Sequence, residues 1–226
     1  MLCNYHTHTV RCKHASGKDE EYVLEAIKNG FDCLGFSDHS PWPLYEDENS
    51  RIRMELSEFD EYYQSIYSLK EKYKDQIKIY IGLECEFLED RMDWLLNFKK
   101  EKKLDYILFG HHFDSRIRNE LYFGHYKNQE NCLERYKETV IKGLSTGAYL
   151  YLAHPDLFMK TYREWKKEFE KPCLEILKVC KELDIPIEYN LAGLITRSGY
   201  PCDEFWKLAG QVGNKAVIGL DAHAPE

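Results

Sequence analysis

Short apolar runs alternate with longer amphipathic stretches along almost the whole chain. Runs rich in β-branched, aromatic and other apolar side chains predict strands at Leu2–His8, Cys33–Ser37, Ile77–Glu84, Asp105–Phe109, Tyr149–Ala153, Pro186–Tyr189 and Ala216–Leu220. Between them, apolar residues recur at three- and four-residue spacing over Glu20–Asn29, Leu56–Lys74, Asp90–Lys102, Gln129–Leu144, Tyr162–Leu183 and Asp203–Gln211. That period predicts helices. Lys28-Asn29-Gly30 reads as a helix end with its left-handed cap, and Pro172 is expected to split the fifth helical stretch. Trp42–Arg53 reads as a long irregular loop after a strand end, where lids and substrate contacts tend to sit.

A repeated strand-then-helix order calls for parallel strands joined by helical crossovers. Seven such strands point to an α/β fold, a barrel one unit short of the eight-stranded form; an open doubly wound sheet is the alternative. At 226 residues the chain fits a single domain spanning 1–226, with no linker or short-period repeat.

Composition narrows the function. Hydrophobic residues make up 43% and charged residues 31%, a globular balance, and the formal net charge is −8. A surface that acidic argues against nucleic acid as the main partner, because phosphate-backbone binding needs clustered Lys and Arg. A small phosphorylated substrate held in a local site remains compatible with it. The eight cysteines form no C-x-x-C pair, the start Met-Leu-Cys-Asn-Tyr-His lacks a basic region followed by an apolar run, and no window approaches a membrane span. The expectation is a cytoplasmic protein with reduced, mostly buried thiols. Nothing in the sequence sets the oligomeric state.

The histidines carry the chemistry. His6 and His8 end the first strand and His14 follows; Asp38-His39 closes the second strand, Glu84 the third, and His111-His112 the fourth. His154, with Asp156 beyond it, closes the fifth, and Asp221 with His223 the seventh. A lone histidine is more often a surface or hydrogen-bonded core residue, but chance would scatter such residues over helices and loops. Here they stand at strand carboxyl ends, which barrel enzymes use for chemistry. Residues i and i+2 on a strand point the same way, so His6 and His8 can grip one ion, as can Asp221 and His223. Imidazole and carboxylate suit zinc, manganese or iron, and so many ligands exceed the need of one ion. Two or three divalent ions are expected, with Glu84 able to bridge two of them at roughly 3.5–4 Å. His125 lies away from a strand end and is left out.

The ordered set H-T-H-T, His14, S-D-H, G-L-E, G-H-H-F, A-H-P-D and D-A-H resembles the polymerase and histidinol phosphatase (PHP) superfamily, most closely its stand-alone histidinol-phosphatase branch. The resemblance implies a trinuclear metal centre on a distorted (β/α)7 barrel, TIM-like but one unit short. His6, His8, Glu84 and Asp221 would hold the first ion; Glu84 would bridge to a second, completed by His112 and His154; His14, His39 and His223 would hold the third. His112 is preferred to His111 because the family pattern is G-x-H followed by an aromatic residue, here Phe113. Asp38 would orient His39 rather than bind directly. Arg197, and second Arg116, are the candidates for gripping phosphate. The chain stops three residues after His223, where relatives continue into another helix.

The activity implied is metal-dependent hydrolysis of a small phosphomonoester, best L-histidinol phosphate, a step of histidine biosynthesis. A hydroxide shared by two ions would attack phosphorus. Glu84 and Asp221 are counted among the catalytic residues, and Asp38, Asp156 or water would protonate the leaving group. Rivals are a nucleotide or phosphotyrosine phosphatase or a nuclease on the same scaffold, and an amidohydrolase, which also opens with H-x-H but offers no counterpart to His14 with Asp38-His39. Structural zinc sites are usually cysteine-rich and closed, which this donor set is not.

Overall fold

In the computed structural model the first strand pairs with the second, the second with the third and the fifth with the sixth, all in parallel, as the alternation of strands and helices requires. The structure describes residues 1–43, 52–113, 122–125 and 131–226. Arg116 and most of the loop over 42–53 lie outside them. The element order is β1 (Cys3–Asn4), α1 (Asp19–Lys28), β2 (Cys33–Phe36), α2 (Phe59–Lys72), β3 (Lys78–Cys85), α3 (Met92–Glu101), β4 (Tyr106–Phe109), α4 (Cys132–Leu144), α5 (Met159–Tyr162), α6 (Glu170–Glu182), β5 (Ile187–Asn190), α7 (Leu191–Ile195), α8 (Asp203–Val212) and β6 (Ala216–Gly219). The first sheet runs β1-β2-β3-β4 and the second pairs β5 with β6. No described helix is long and apolar enough to cross a membrane.

Packing gathers the chain into two units. The first comprises Met1–Cys85, Lys99–Leu108 and Leu220–Glu226; the second, Glu86–Phe98 and Phe109–Gly219.

In the first unit, Leu34, Phe36, Ile79, Ile81 and Leu83 of β2 and β3 are buried, and α2 lays Tyr62 and Ile66 against them. Tyr62 donates its hydroxyl to the Gly82 carbonyl at 2.9 Å. Gly82 is required by a close approach: a Cβ there would meet the Tyr106 ring at 2.6 Å. The Tyr106 hydroxyl in turn donates to the Tyr5 and Phe36 carbonyls at 2.7 and 3.0 Å, tying three strands together. At the end of α1, Gly30 adopts φ +74° and Phe31 N–H reaches the Ala26 carbonyl, the left-handed cap read from the sequence.

In the second unit, α4, α6 and α8 pack through Tyr136, Val140, Ile176, Leu177 and Phe205. Two expectations are corrected here. Pro172 does not split a helix; it occupies the first turn of α6, where an N–H has no helical partner in any case. The run Tyr149–Ala153 makes only single-residue bridges through Leu152, to Phe109 and to Ile187. Leu191–Ile195, to which the periodicity assigned no element, is a short helix capped by Asn190 Oδ1, which accepts from Gly193 N–H at 2.8 Å.

A third correction concerns the thiols. Cys3 and Cys33 stand opposite each other in the β1–β2 register and form a disulfide, while the other six cysteines are buried and outside any disulfide.

Candidate metal centre

The carboxyl ends of β1, β2 and β3, together with the segment after β6, assemble a cluster of side chains in the first unit. Thr7 bridges Ala222 and His39 bridges Glu84, extending the parallel pairing past the ladders. His8 N–H bonds to the Ala222 carbonyl at 2.9 Å and Ala222 N–H to the His6 carbonyl at 3.2 Å. Alternation along this edge turns His6 and His8 to one side. Both rings are fully buried.

Their Nε2 atoms lie 3.2 Å apart. Glu84 Oε2 is 3.5 Å from each, and Asp221 Oδ1 is 3.4 Å from His6 Nε2 and 3.1 Å from His8 Nε2. His39 Nδ1 reaches the same Glu84 oxygen at 3.1 Å. His14 Nε2 and His223 Nε2 face each other at 3.0 Å, and the His8 ring stacks on that of His223 with centroids 4.1 Å apart. Seven of the nine ligands expected from the sequence thus gather in one unit.

Tautomers decide what this cluster can bind. His14 Nδ1 lies 2.7 Å from the Cys12 carbonyl and His223 Nδ1 lies 2.9 Å from the Asp221 carbonyl. A carbonyl only accepts, so both Nδ1 atoms carry protons, and in the neutral rings both facing Nε2 atoms present lone pairs. Likewise His8 Nδ1 faces Asp38 Oδ1 at 3.4 Å, which leaves His8 Nε2 turned toward His6, Glu84 and Asp221. Lone pairs and carboxylates converging in a buried space repel one another unless a cation lies among them. Imidazole whose other nitrogen donates to a carboxylate or carbonyl is the usual metal-ligating arrangement. The residues therefore fit divalent metal ions of the zinc, manganese or iron kind.

Protons partly do the balancing otherwise. Burial disfavours the His8 cation, but hydrogen bonds to Asp221 and Asp38 outweigh it and raise its pKa well above the usual histidine range. Burial likewise opposes ionisation of Asp221, and the charges of His6, His8 and His223 overcome it, holding its pKa far down. Burial and the neighbouring His8 push His223 down to about 4. Metal binding here would compete with the proton on His8.

Asp38 is fully buried and accepts from Thr9 N–H at 3.2 Å, from the Thr9 hydroxyl, and from His39 N–H at 2.8 Å. Burial alone would raise its pKa, yet the His8 and Thr9 contacts win and lower it. This corrects the orienting role expected for Asp38: the ring nitrogen it faces is that of His8 rather than His39.

In the second unit, His112 Nδ1 lies 3.3 Å from Glu86 Oε1, and the His112 and His154 rings are 5.0 Å apart. His154 takes φ +29°, and its N–H bonds to Glu188 Oε2 at 3.0 Å; Asn190 Nδ2 donates to the same oxygen at 3.1 Å. His111 sits instead among Phe109, Phe123 and Tyr136. Asp156 is buried, accepts from Cys202 N–H at 2.6 Å, and is pushed up to about 6 by burial. Arg197 is exposed just beyond α7, its carbonyl accepting from Arg163 at 2.9 Å.

Sequence reading missed three residues. Cys12 lies within ligand range of His14 and His223 and, in a second group, of His8 and Asp38. Burial raises its thiol pKa, but hydrogen bonds to His14 and His8 prevail and lower it. Glu86 follows Glu84 at the two-residue spacing that alternation of side chains makes significant, and C-x-H at 12–14 is the matching signal for Cys12. Glu188 gave no signal, being one acidic residue in an apolar strand.

Known proteins resemble this chain along most of its length. The PHP domain family model matches residues 4–192. The histidinol-phosphatase of Bacillus subtilis (strain 168) is 29% identical over 247 residues, covering 96% of this chain and 92% of that protein. A crystal structure of a candidate histidinol phosphatase from Listeria monocytogenes matches with a TM-score of 0.82 at 22% identity, covering 99% of this chain and 96% of the other. The histidinol phosphate phosphatase of Lactococcus lactis, crystallised with zinc, L-histidinol and phosphate, matches at 0.78 and 19% identity, covering 100% and 87%. These likenesses show the α/β, TIM-like fold expected from the sequence. By its matched length and its ordered histidine and carboxylate motifs, the chain belongs to the PHP domain family, in the histidinol-phosphatase-like branch.

Proposed function

We propose that this metal-dependent phosphatase hydrolyses a small phosphomonoester, L-histidinol phosphate, releasing L-histidinol and phosphate. The observation that carries the reading is the buried convergence of His6 Nε2, His8 Nε2, Glu84 Oε2 and Asp221 Oδ1 within 3.5 Å contacts. The substrate is supported by the names of the B. subtilis and L. lactis relatives and by the ligands of the latter's crystal structure.

Divalent ions, when bound, supply Lewis-acid charge for the phosphoryl oxygens and lower the pKa of water toward neutrality. His6, His8, Glu84 and Asp221 would hold one such ion, and His14, His39 and His223 another; His112 and His154 are proposed as ligands as well. Asp38 and Glu86 orient the imidazoles of His8 and His112 through their Nδ1 atoms. Arg197, with Arg116, would grip the phosphate through charge-assisted hydrogen bonds. Asp156, at about 6, holds a proton close to neutrality and would supply it to the leaving alkoxide.

A panel of phosphomonoesters tests the reading on protein loaded with zinc or manganese: L-histidinol phosphate, a nucleoside monophosphate and phosphotyrosine. The highest kcat/KM is expected for L-histidinol phosphate. Faster turnover of either rival moves the chain to a different substrate class, and no phosphate from any ester ends the phosphatase reading.

A further inference from the structure

We propose that Cys12 contributes its sulfur as a further metal ligand, making a mixed nitrogen–sulfur site with His14 and His223. The proposal rests on the metal-centre reading above and deepens it. Cys12 is fully buried, and its Sγ, a His14 ring nitrogen and a His223 ring nitrogen all lie within 4.8 Å of one another. Buried cysteines usually behave as small hydrophobes in apolar surroundings. Cys12 faces imidazoles and the Asp38 carboxylate instead.

The chain holds this thiol rigidly. Cys12 ends a tight helical turn, Val10–Cys12, with Thr9 at its start and Lys13 at φ +69° at its end. Thr9 is tied to Asp38 through both its N–H and its hydroxyl. Arg11 is clamped in bidentate fashion by Asp19 at 3.0 and 2.9 Å and by Glu61 at 2.6 and 2.9 Å. With Thr9 and Arg11 pinned, Cys12 and His14 are presented together, and the Cys12 carbonyl fixes the His14 tautomer. One turn thus supplies a sulfur, a nitrogen and the hydrogen bond that aims that nitrogen.

Binding releases the thiol proton to solvent and forms one metal–sulfur bond. Thiolate is a soft donor, so this position would favour zinc or ferrous iron over manganese or magnesium. Loss of the sulfur should weaken the affinity of one zinc equivalent by about tenfold or more.

Cobalt(II) added to the metal-stripped full chain tests this without reference to turnover. Visible d–d bands report cobalt bound, and a near-ultraviolet charge-transfer band reports a thiolate ligand. Both are expected in the wild type, and Cys12→Ala should lose the near-ultraviolet band while keeping visible ones. Visible bands alone in the wild type, or a charge-transfer band that survives in Cys12→Ala, overturns the sulfur ligand and leaves the metal centre standing. Absence of both bands overturns both readings. Should Cys12→Ala fail to fold, X-ray absorption of the zinc-loaded wild type decides: a sulfur shell at ~2.3 Å supports the ligand and an all-nitrogen-and-oxygen shell overturns it.

Discussion

Replacing Asp38 by asparagine tests the proposal that this carboxylate orients His8 for metal binding. The carboxylate accepts three hydrogen bonds, from Thr9 N–H, the Thr9 hydroxyl and His39 N–H, and faces His8 Nδ1 at 3.4 Å. Asparagine has one oxygen and one NH2 in the same outline, so whichever way it turns, one donor meets another donor. If the NH2 faces His8, the ring loses its acceptor and its proton shifts to Nε2, the atom aimed at His6, Glu84 and Asp221. Loss of such a partner typically weakens metal affinity by about 10–100-fold, or about 1.4–2.7 kcal/mol. If the NH2 faces Thr9 instead, a buried donor is left unpaired at about 1–3 kcal/mol, roughly 2–12 °C in the Tm of metal-free protein. Competition against a chelator of known affinity, paired with thermal unfolding of stripped protein, reads both. A variant that matches wild type in metal affinity and in metal-free Tm refutes the orienting role.

Other consequences follow from particular contacts. Gly82→Ala drives a methyl into the Tyr106 ring and should destabilise the protein by about 1–3 kcal/mol, read as a lower urea midpoint at unchanged slope; an unchanged midpoint would show the ring free to move. Asp156 carries a pKa raised to about 6, so the folded state holds its proton more tightly than the unfolded state does. Its favourable contribution is present below the ordinary carboxylate pKa of about 4 and is lost as pH rises through about 6, a change of about 3 kcal/mol. Asp156→Asn should remove that slope from the stability of metal-free protein; a slope that persists assigns it to other groups. Arg197→Ala should lower kcat/KM for the phosphoester about ten- to hundredfold if the side chain grips phosphate, and leave zinc stoichiometry alone; unchanged kinetics would move the phosphate contact elsewhere.

Much of the fold was legible because strand and helix leave different periods in the sequence. The helix spans agreed to within a few residues at α1, α3, α4 and α8, where apolar side chains line one face. β1 was overdrawn: Asn4 is buried and its side chain takes over hydrogen bonds that a longer ladder would make, to the His6 carbonyl, Thr7 and the Leu220 N–H. A polar residue doing backbone work has no periodic signature. The Cys3–Cys33 disulfide was hidden for a different reason, since it depends on strand register rather than on spacing in the chain. At the site, strand-end histidines announced themselves by motif, whereas the approach of Cys12 to His223 and of Glu86 to His112 is made by folding.

Diffraction at the zinc edge from crystals grown with zinc asks the central question most directly. An anomalous peak ringed by His6, His8, Glu84 and Asp221 is the expected result. Those four side chains turned away from one another, or a map with no peak among them, would contradict the account.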